Sequence, residues 1–485
     1  MSIRTRIAPS PTGYMHIGTL STALFDYFLA RQTGGQFIIR IEDTDRERLV
    51  PGAVENLLQT FKNLGIEHDE GPVLLPDGSL GQKGAYGPYV QSERLDLYKK
   101  YINQLVDQSH AYHCFCTRER LDEMRTQQQA IKQTPKYDRL CAKLSSDEVK
   151  MRIDRGETFV IRMRIPEGKT AFDDAIRGRI EFDNSDLDDQ VIMKSDGFPT
   201  YHLAVIVDDF LMKITHIIRG EEWLSSTPKH VILYKMFGWD MPVFAHAPLL
   251  LNPDRSKLSK RQGDVAVEDY LKRGYLPATL INFVGTLGFN PKADQEIYTL
   301  EELIALFDLS RVNKSGAVLN MEKLDWMNNQ YLQLLTIDQL AEAARSFVQA
   351  DVSSDRVRRA LFAERARVNR LDELQVHIDA YLLQPSYDSG LLVWRKADAQ
   401  DAKKSLTLMR RQVDNLLESD FVAPLALETK LLGYIKDNGL QNGNVLWPLR
   451  VALSGQEKSA TPFEFLWALG REESLTRIDH ALNLL

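Results

Sequence analysis

Between Ile3 and Asp43 the hydrophobic period of the chain changes twice. "IRTRIAP" reads as a strand, "HIGTLSTALFDYFLARQ" carries apolar residues at helical spacing and is closed by Gly34 and Gly35, and "FIIRIED" reads as a strand again. That order predicts two parallel strands joined by a crossover helix, because parallel neighbours cannot be joined by a tight turn. The loop from Ala8 to Gly13, with Pro9 and Ser10, follows the first strand, and a helix is expected to begin near His16. Free backbone N–H groups and the positive end of the helix dipole then lie at the carboxyl edge of the sheet, which makes an anion site. His16 adds a side-chain donor, and Gly18, lacking a Cβ, admits a flat ring against the backbone. A plain helix N-terminus with an incidental histidine reads the same way.

Further on, "AVENLLQTFKNLG" predicts a second helix, with Leu57, Leu58, Phe61 and Leu64 at helical spacing. From about Arg94 to Asp208 the order is irregular and reads as an insertion. "ITHIIRG" and "VILYKMFG" restore strand and helix, and beyond Leu300 the pattern is helical almost throughout. A length of 485 residues predicts several domains. No apolar run is long enough to span a bilayer and no secretory leader is visible, so a cytoplasmic protein with no membrane partner is expected. With 60 Lys and Arg against 67 Asp and Glu, the net charge of −7 argues against a surface coated in cations, so a nucleic-acid partner must be met by local patches.

A second stretch, "DRSKLSKRQGD", sets Lys257, Lys260 and Arg261 around Ser259 in a polar loop. A solvated basic loop is the usual fate of such a run. Paired with the opening stretch, however, it resembles the two signatures of class I aminoacyl-tRNA synthetases, His-x-Gly-His and Lys-Met-Ser-Lys-Ser. Here Thr19 stands at the final histidine, as suits the glutamate branch. "TRIAPSPTG", "RIEDTDRER", "DEGP", "QSERL", "KSDGFPTYHLA", "IIRGEEWLSSTP", "KLSKR" and "PLRVALSG" follow one another as in the bacterial glutamyl-tRNA synthetase family.

The resemblance implies an α/β fold: a Rossmann-like parallel-sheet catalytic domain with an α+β insertion, then an all-helical anticodon-binding region. Its expected divisions are residues 1–95 and 209–251 for the catalytic halves and 96–208 for an inserted domain that binds the tRNA acceptor end. Residues 252–335 would form the signature loop and stem-contact domain, and 336–485 the anticodon-binding region. It implies ligation of glutamate to tRNA(Glu) through a glutamyl-adenylate made from ATP with Mg2+, by a monomer whose activation step requires tRNA. His16, Gly18, Lys257 and Lys260 carry the catalysis, and Pro9 and Ser259 join them in holding ATP. Arg6, Tyr201 and Arg219 hold the glutamate side chain, while Ser10 and Glu42 hold its amino-acid end. Guanidinium groups suit this task because they bind carboxylates directionally. An enzyme that also charges tRNA(Gln), and a tRNA-binding relative without catalysis, are the alternatives. A truncated relative that glutamylates a tRNA base lacks the helical region, and a small nucleotidylyltransferase would need neither this length nor the glutamate blocks.

All three cysteines, Cys114, Cys116 and Cys141, fall in one short stretch, with Tyr137 four residues before the last. Three thiolates and a phenolate would satisfy one structural Zn2+, as in some relatives, and three reduced thiols are the plain alternative. Finally, "RVRRALFAERARVNR" holds six arginines and one glutamate. As one helix it would bring Arg356, Arg359, Arg367 and Arg370 within about 80° of arc, a basic stripe. Arg359, Arg365 and Arg367 are the candidates for tRNA contact, against the ordinary reading of a solvated face.

Overall fold

The computed structural model describes residues 2–256, 258, 266–292, 294–395 and 397–485. The chain forms two compact units, Met1–Asp269 with Leu280–Asn320, and Tyr270–Thr279 with Met321–Leu485.

In the first unit, β1 (Arg4–Ile7) and β2 (Gln36–Ile39) are parallel, with Arg4 opposite Gln36 and Ile7 opposite Ile39. Helix α1 (Ile17–Gln32) is the crossover between them. Leu20, Ala23, Leu24, Phe25 and Phe28 of α1 are all buried. The helix lies between layers, with the rings of Phe25 and Phe28 at 5.3 and 5.7 Å from that of Phe307. A four-stranded sheet runs His216–Gly220, Val243–Ala247, Lys169–Asp174, Gly178–Asp183; its first three strands are parallel and the last is antiparallel. The Thr215 N–H donates to the Arg4 carbonyl at 3.0 Å, and Arg4 N–H donates to Thr215 Oγ1 at 2.9 Å. These bonds set β1 beside the strand that carries Arg219.

The stretch expected as an insertion is shared out. Ala111–Cys114, Val160–Met163 and Val191–Met193 form their own antiparallel sheet. Lys169–Asp174 instead joins the sheet of His216–Gly220, and the helix Tyr201–Leu211 runs through position 208, where the insertion was expected to end. The second unit contains helices and turns and no strand among its described residues. No helix among the described residues is long and apolar enough to cross a membrane.

Candidate active site

His16 is the N-cap of α1, in extended backbone geometry, and its Nδ1 accepts from the Gly18 N–H at 3.0 Å. A neutral imidazole with Nδ1 accepting carries its proton on Nε2. Gly18 has a local reason to be glycine. A Cβ there would stand 3.3 Å from His16 Nδ1, tight enough to displace the ring. Lys257, Ser259 and Lys260 lie outside the described residues. Beside them, the Leu258 N–H donates to the Leu250 carbonyl at 3.2 Å, and Ala266 forms a bridge with His16.

Between the carboxyl ends of β1 and of the His216–Gly220 strand opens a cleft of about 700 Å3. Arg6, Pro9, Ser10, Gly18, Glu42, Tyr201 and Arg219 all line it, while His16 lines an adjoining hollow of about 160 Å3. Beneath the cleft lies a layer of buried charge. Arg40 pairs with Asp209 at 2.6 Å, Glu42 at 3.0 Å and Asp208 at 3.6 Å. Arg94 pairs with Asp208 at 2.7 Å, and Arg6 with Asp209 at 3.1 Å. Three guanidinium groups thus meet three carboxylates, as buried charge requires. Burial pushes the Glu42 carboxyl up to about 6, against the pull of Arg40.

Arg219 differs from these three. Its Nε donates to His246 Nε2 at 3.1 Å, Nη1 to the Tyr201 hydroxyl at 3.1 Å and His230 Nδ1 at 3.2 Å, and Nη2 to Thr227 Oγ1 at 2.8 Å. Burial, with the Arg219 charge alongside, holds His230 well below its ordinary value, and burial lowers His246 too. Every partner is therefore neutral. Among the described residues no carboxylate forms an ion pair with this guanidinium, which is only 6% exposed. Trp223, 4.4 Å from the Tyr201 ring, completes the wall beside it.

The three thiols and Tyr137 come together as the spacing predicts. Their sulfur atoms all lie within 4.8 Å of one another, and Cys116 and Cys141 are 3.5 Å apart. The Tyr137 hydroxyl is 3.4 Å from Cys114 Sγ and 3.3 Å from Cys116 Sγ. Hydrogen bonding between Cys114 and Cys141 lowers the Cys114 thiol, against burial, and raises that of Cys141, while burial raises Tyr137. Tetrahedral zinc with Zn–S bonds of about 2.3 Å sets sulfur atoms about 3.8 Å apart, so the donor set fits that ion.

The description "tRNA synthetases class I (E and Q), catalytic domain" matches residues 2–326, and "Anticodon binding domain" matches residues 339–482. The glutamate–tRNA ligase of Clostridioides difficile is 44% identical over 503 residues, covering 100% of this chain and 99% of that one. That of Chloroherpeton thalassium is 45% identical over 510 residues, covering 100% and 98%. The crystal structure of a glutamate tRNA ligase from Elizabethkingia meningosepticum in complex with its amino acid has a TM-score of 0.85 at 34% identity, and covers 100% of this chain and 99% of its own. The chain belongs to the glutamate–tRNA ligases.

For a member of that family the helical unit holds a correction. The basic stripe does not form, because the helix Asp355–Glu364 stops short of Arg367 and Arg370. Arg359 Nη1 donates to the Trp467 carbonyl at 2.9 Å, and the Arg365 guanidinium lies 3.4 Å over the Phe362 ring. Arg370 is paired with Asp372 at 3.0 Å and Glu373 at 2.9 Å. Arg367 alone of the candidates lines a hollow of about 380 Å3, with Arg450, Lys458, His377 and Phe465. Sequence reasoning did not single out Arg450 and Lys458, which line the same hollow. "PLRVALSG" was a signal for Arg450, whose buried Nε has no hydrogen-bond partner among the described residues.

Proposed function

We propose that this cleft joins glutamate to ATP and then to tRNA, with Arg219 and Tyr201 holding the side-chain carboxylate. The observation that carries the assignment is a buried guanidinium whose partners are all neutral. A buried guanidinium with no carboxylate in contact is costly, and an anionic ligand relieves it. Arg6 is less suited to the same task, because Asp209 already meets its charge. Arg219 has one N–H left on Nη2, and the Tyr201 hydroxyl, accepting from Arg219, keeps its own proton to donate. Both suit one carboxylate.

Glu42 and Ser10 hold the ammonium and carboxylate end. The α-carboxylate attacks the α-phosphate of ATP and pyrophosphate leaves; the terminal ribose hydroxyl of tRNA then takes the glutamyl group, and AMP leaves. His16 and the positive end of the α1 dipole hold the phosphates, although the N–H groups of Gly18, Thr19 and Leu20 are already bonded to His16. Lys257, Ser259 and Lys260, assigned by their motif, belong to the same step, and the bridge between Ala266 and His16 supports that reading. Mg2+ accompanies ATP. Cys114, Cys116, Cys141 and Tyr137 would hold a zinc ion, whose contribution is a cross-link within the Ala111–Cys114 region. Arg367, Arg450 and Lys458 meet the tRNA.

Arg219→Ala tests the reading. It should lower kcat/KM for glutamate at least about a hundredfold, equivalent to about 3 kcal/mol, and narrow the preference over glutamine, while KM for ATP is kept. Wild-type selectivity in that variant would remove Arg219 from the substrate pocket.

A further inference from the structure

His246 and Asp174 belong to no motif, and neither lines the cleft. Both are buried, at 0% and 4% exposure. Strand pairing brings them to Arg219. His246 is the register partner of Arg219 across parallel strands, and Asp174 lies at the end of the next strand, opposite Phe244. A hydrogen-bonded chain results. His246 Nδ1 is 2.6 Å from Asp174 Oδ2, and its Nε2 accepts from Arg219 Nε at 3.1 Å, with Thr227 Oγ1 at 3.0 Å.

We propose that Asp174 and His246 are a positioning pair that fixes Arg219 for a substrate carboxylate while leaving it uncapped. The proposal rests on the reading of Arg219 as the partner of the glutamate side chain. A carboxylate in direct contact would orient the guanidinium equally well, and it would also satisfy its charge and compete with the substrate. Placed behind an imidazole, the Asp174 anion compensates the buried cation from a distance and occupies none of its N–H groups. The histidine must then be neutral, with its proton on Nδ1, since a proton on Nε2 would face the Nε–H of Arg219. Burial lowers His246 in the sense this arrangement requires.

The second oxygen of Asp174 fixes the direction of the chain. Oδ1 accepts the N–H groups of Ile176 at 3.0 Å, Arg177 at 2.9 Å and His246 at 3.3 Å. In Asp174→Asn the amide oxygen must take that place, because an NH2 group there would meet three donors. The NH2 group then faces His246 Nδ1 and forces the imidazole proton onto Nε2. Even if that proton turns to Thr227, Arg219 Nε loses its acceptor. An isosteric change that leaves packing intact thereby reverses the tautomer, an effect known to disable a carboxylate–histidine pair.

Steady-state aminoacylation of tRNA by the full chain tests this, with glutamate, glutamine and ATP varied in turn. For Asp174→Asn the expected result is a KM for glutamate raised about tenfold to a hundredfold, the range for a lost hydrogen bond to a charged group. A narrowed preference over glutamine should accompany it, with an unchanged KM for ATP. His246→Gln, which still offers an acceptor to Arg219, should recover part of the loss seen in His246→Ala. Unchanged glutamate KM and selectivity in folded Asp174→Asn overturns the proposal. If that variant fails to fold, equal glutamate KM in His246→Ala and wild type overturns it instead. Arg219→Ala separates the two readings. Loss of selectivity there with none in Asp174→Asn defeats the positioning pair alone, whereas no loss in either defeats the assignment of Arg219.

Discussion

Burial raises the Glu42 carboxyl from its ordinary 4.5 to about 6, although Arg40 lies 3.0 Å away. Between those two pH values the folded chain holds a proton that the unfolded chain has lost, so the contribution of Glu42 to stability falls as pH rises across the window. If Glu42 holds the glutamate ammonium as proposed, binding has the opposite sense, because the ammonium needs the anion. The pH profile of kcat/KM for glutamate should therefore fall about tenfold per unit below a break near 6, and Glu42→Gln should lack that break. A second expectation at this scale concerns Gly18. Alanine is favoured over glycine in a helix by about 1 kcal/mol, yet a Cβ here meets the His16 ring. Gly18→Ala should leave the melting temperature nearly unchanged, because the weakened His16 cap offsets the helix gain, and should lower the single-turnover rate of adenylate formation. That Glu42, Tyr201 and Arg219 share one cleft was legible in the sequence because each sits in a recognisable block. Asp174 and His246 were not, since only strand pairing between distant segments brings them to Arg219.

The helix Asp355–Glu364 shows why an element can end where its sequence does not. "AERARVNR" contains no proline or glycine, and its helical spacing continues. Tertiary contacts end it. Buried Glu364 accepts from the Tyr381 hydroxyl at 2.8 Å, and Asn329 Nδ2 donates to the carbonyls of Val368 at 2.7 Å and Ala366 at 3.2 Å. Those carbonyls take a side-chain donor in place of the next helical turn. Removing that donor in Asn329→Ala should cost about 1 to 2 kcal/mol, read as a lower melting temperature of the helical unit. By contrast, the opening strand, α1 and β2 were legible because hydrophobic period, loop chemistry and crossover topology all agree there. The irregular stretch from Arg94 to Asp208 gave no such agreement, and its strands divide between two sheets.

At the scale of the whole molecule, a chain with net charge −7 must bind a polyanion through local cations. The arginine run was expected to supply a stripe, but pairing takes up Arg370, and contacts with Trp467 and Phe362 hold Arg359 and Arg365. What the helical unit offers instead is a concave site with Arg450, Lys458 and Arg367 around it, the last 4.0 Å from Glu364, and Phe465 and Val376 in its wall. A hollow with an apolar wall suits a flat base, whereas backbone phosphates are met on open basic faces. The two modes separate in salt. Each phosphate contact contributes about 0.7 to 0.9 to the slope of log affinity against log salt, and a base contact contributes none. Arg450→Ala should therefore weaken tRNA binding about tenfold at every salt concentration with the slope unchanged. A slope reduced by about one would place Arg450 on the tRNA backbone, and unchanged affinity would remove this hollow from the tRNA interface.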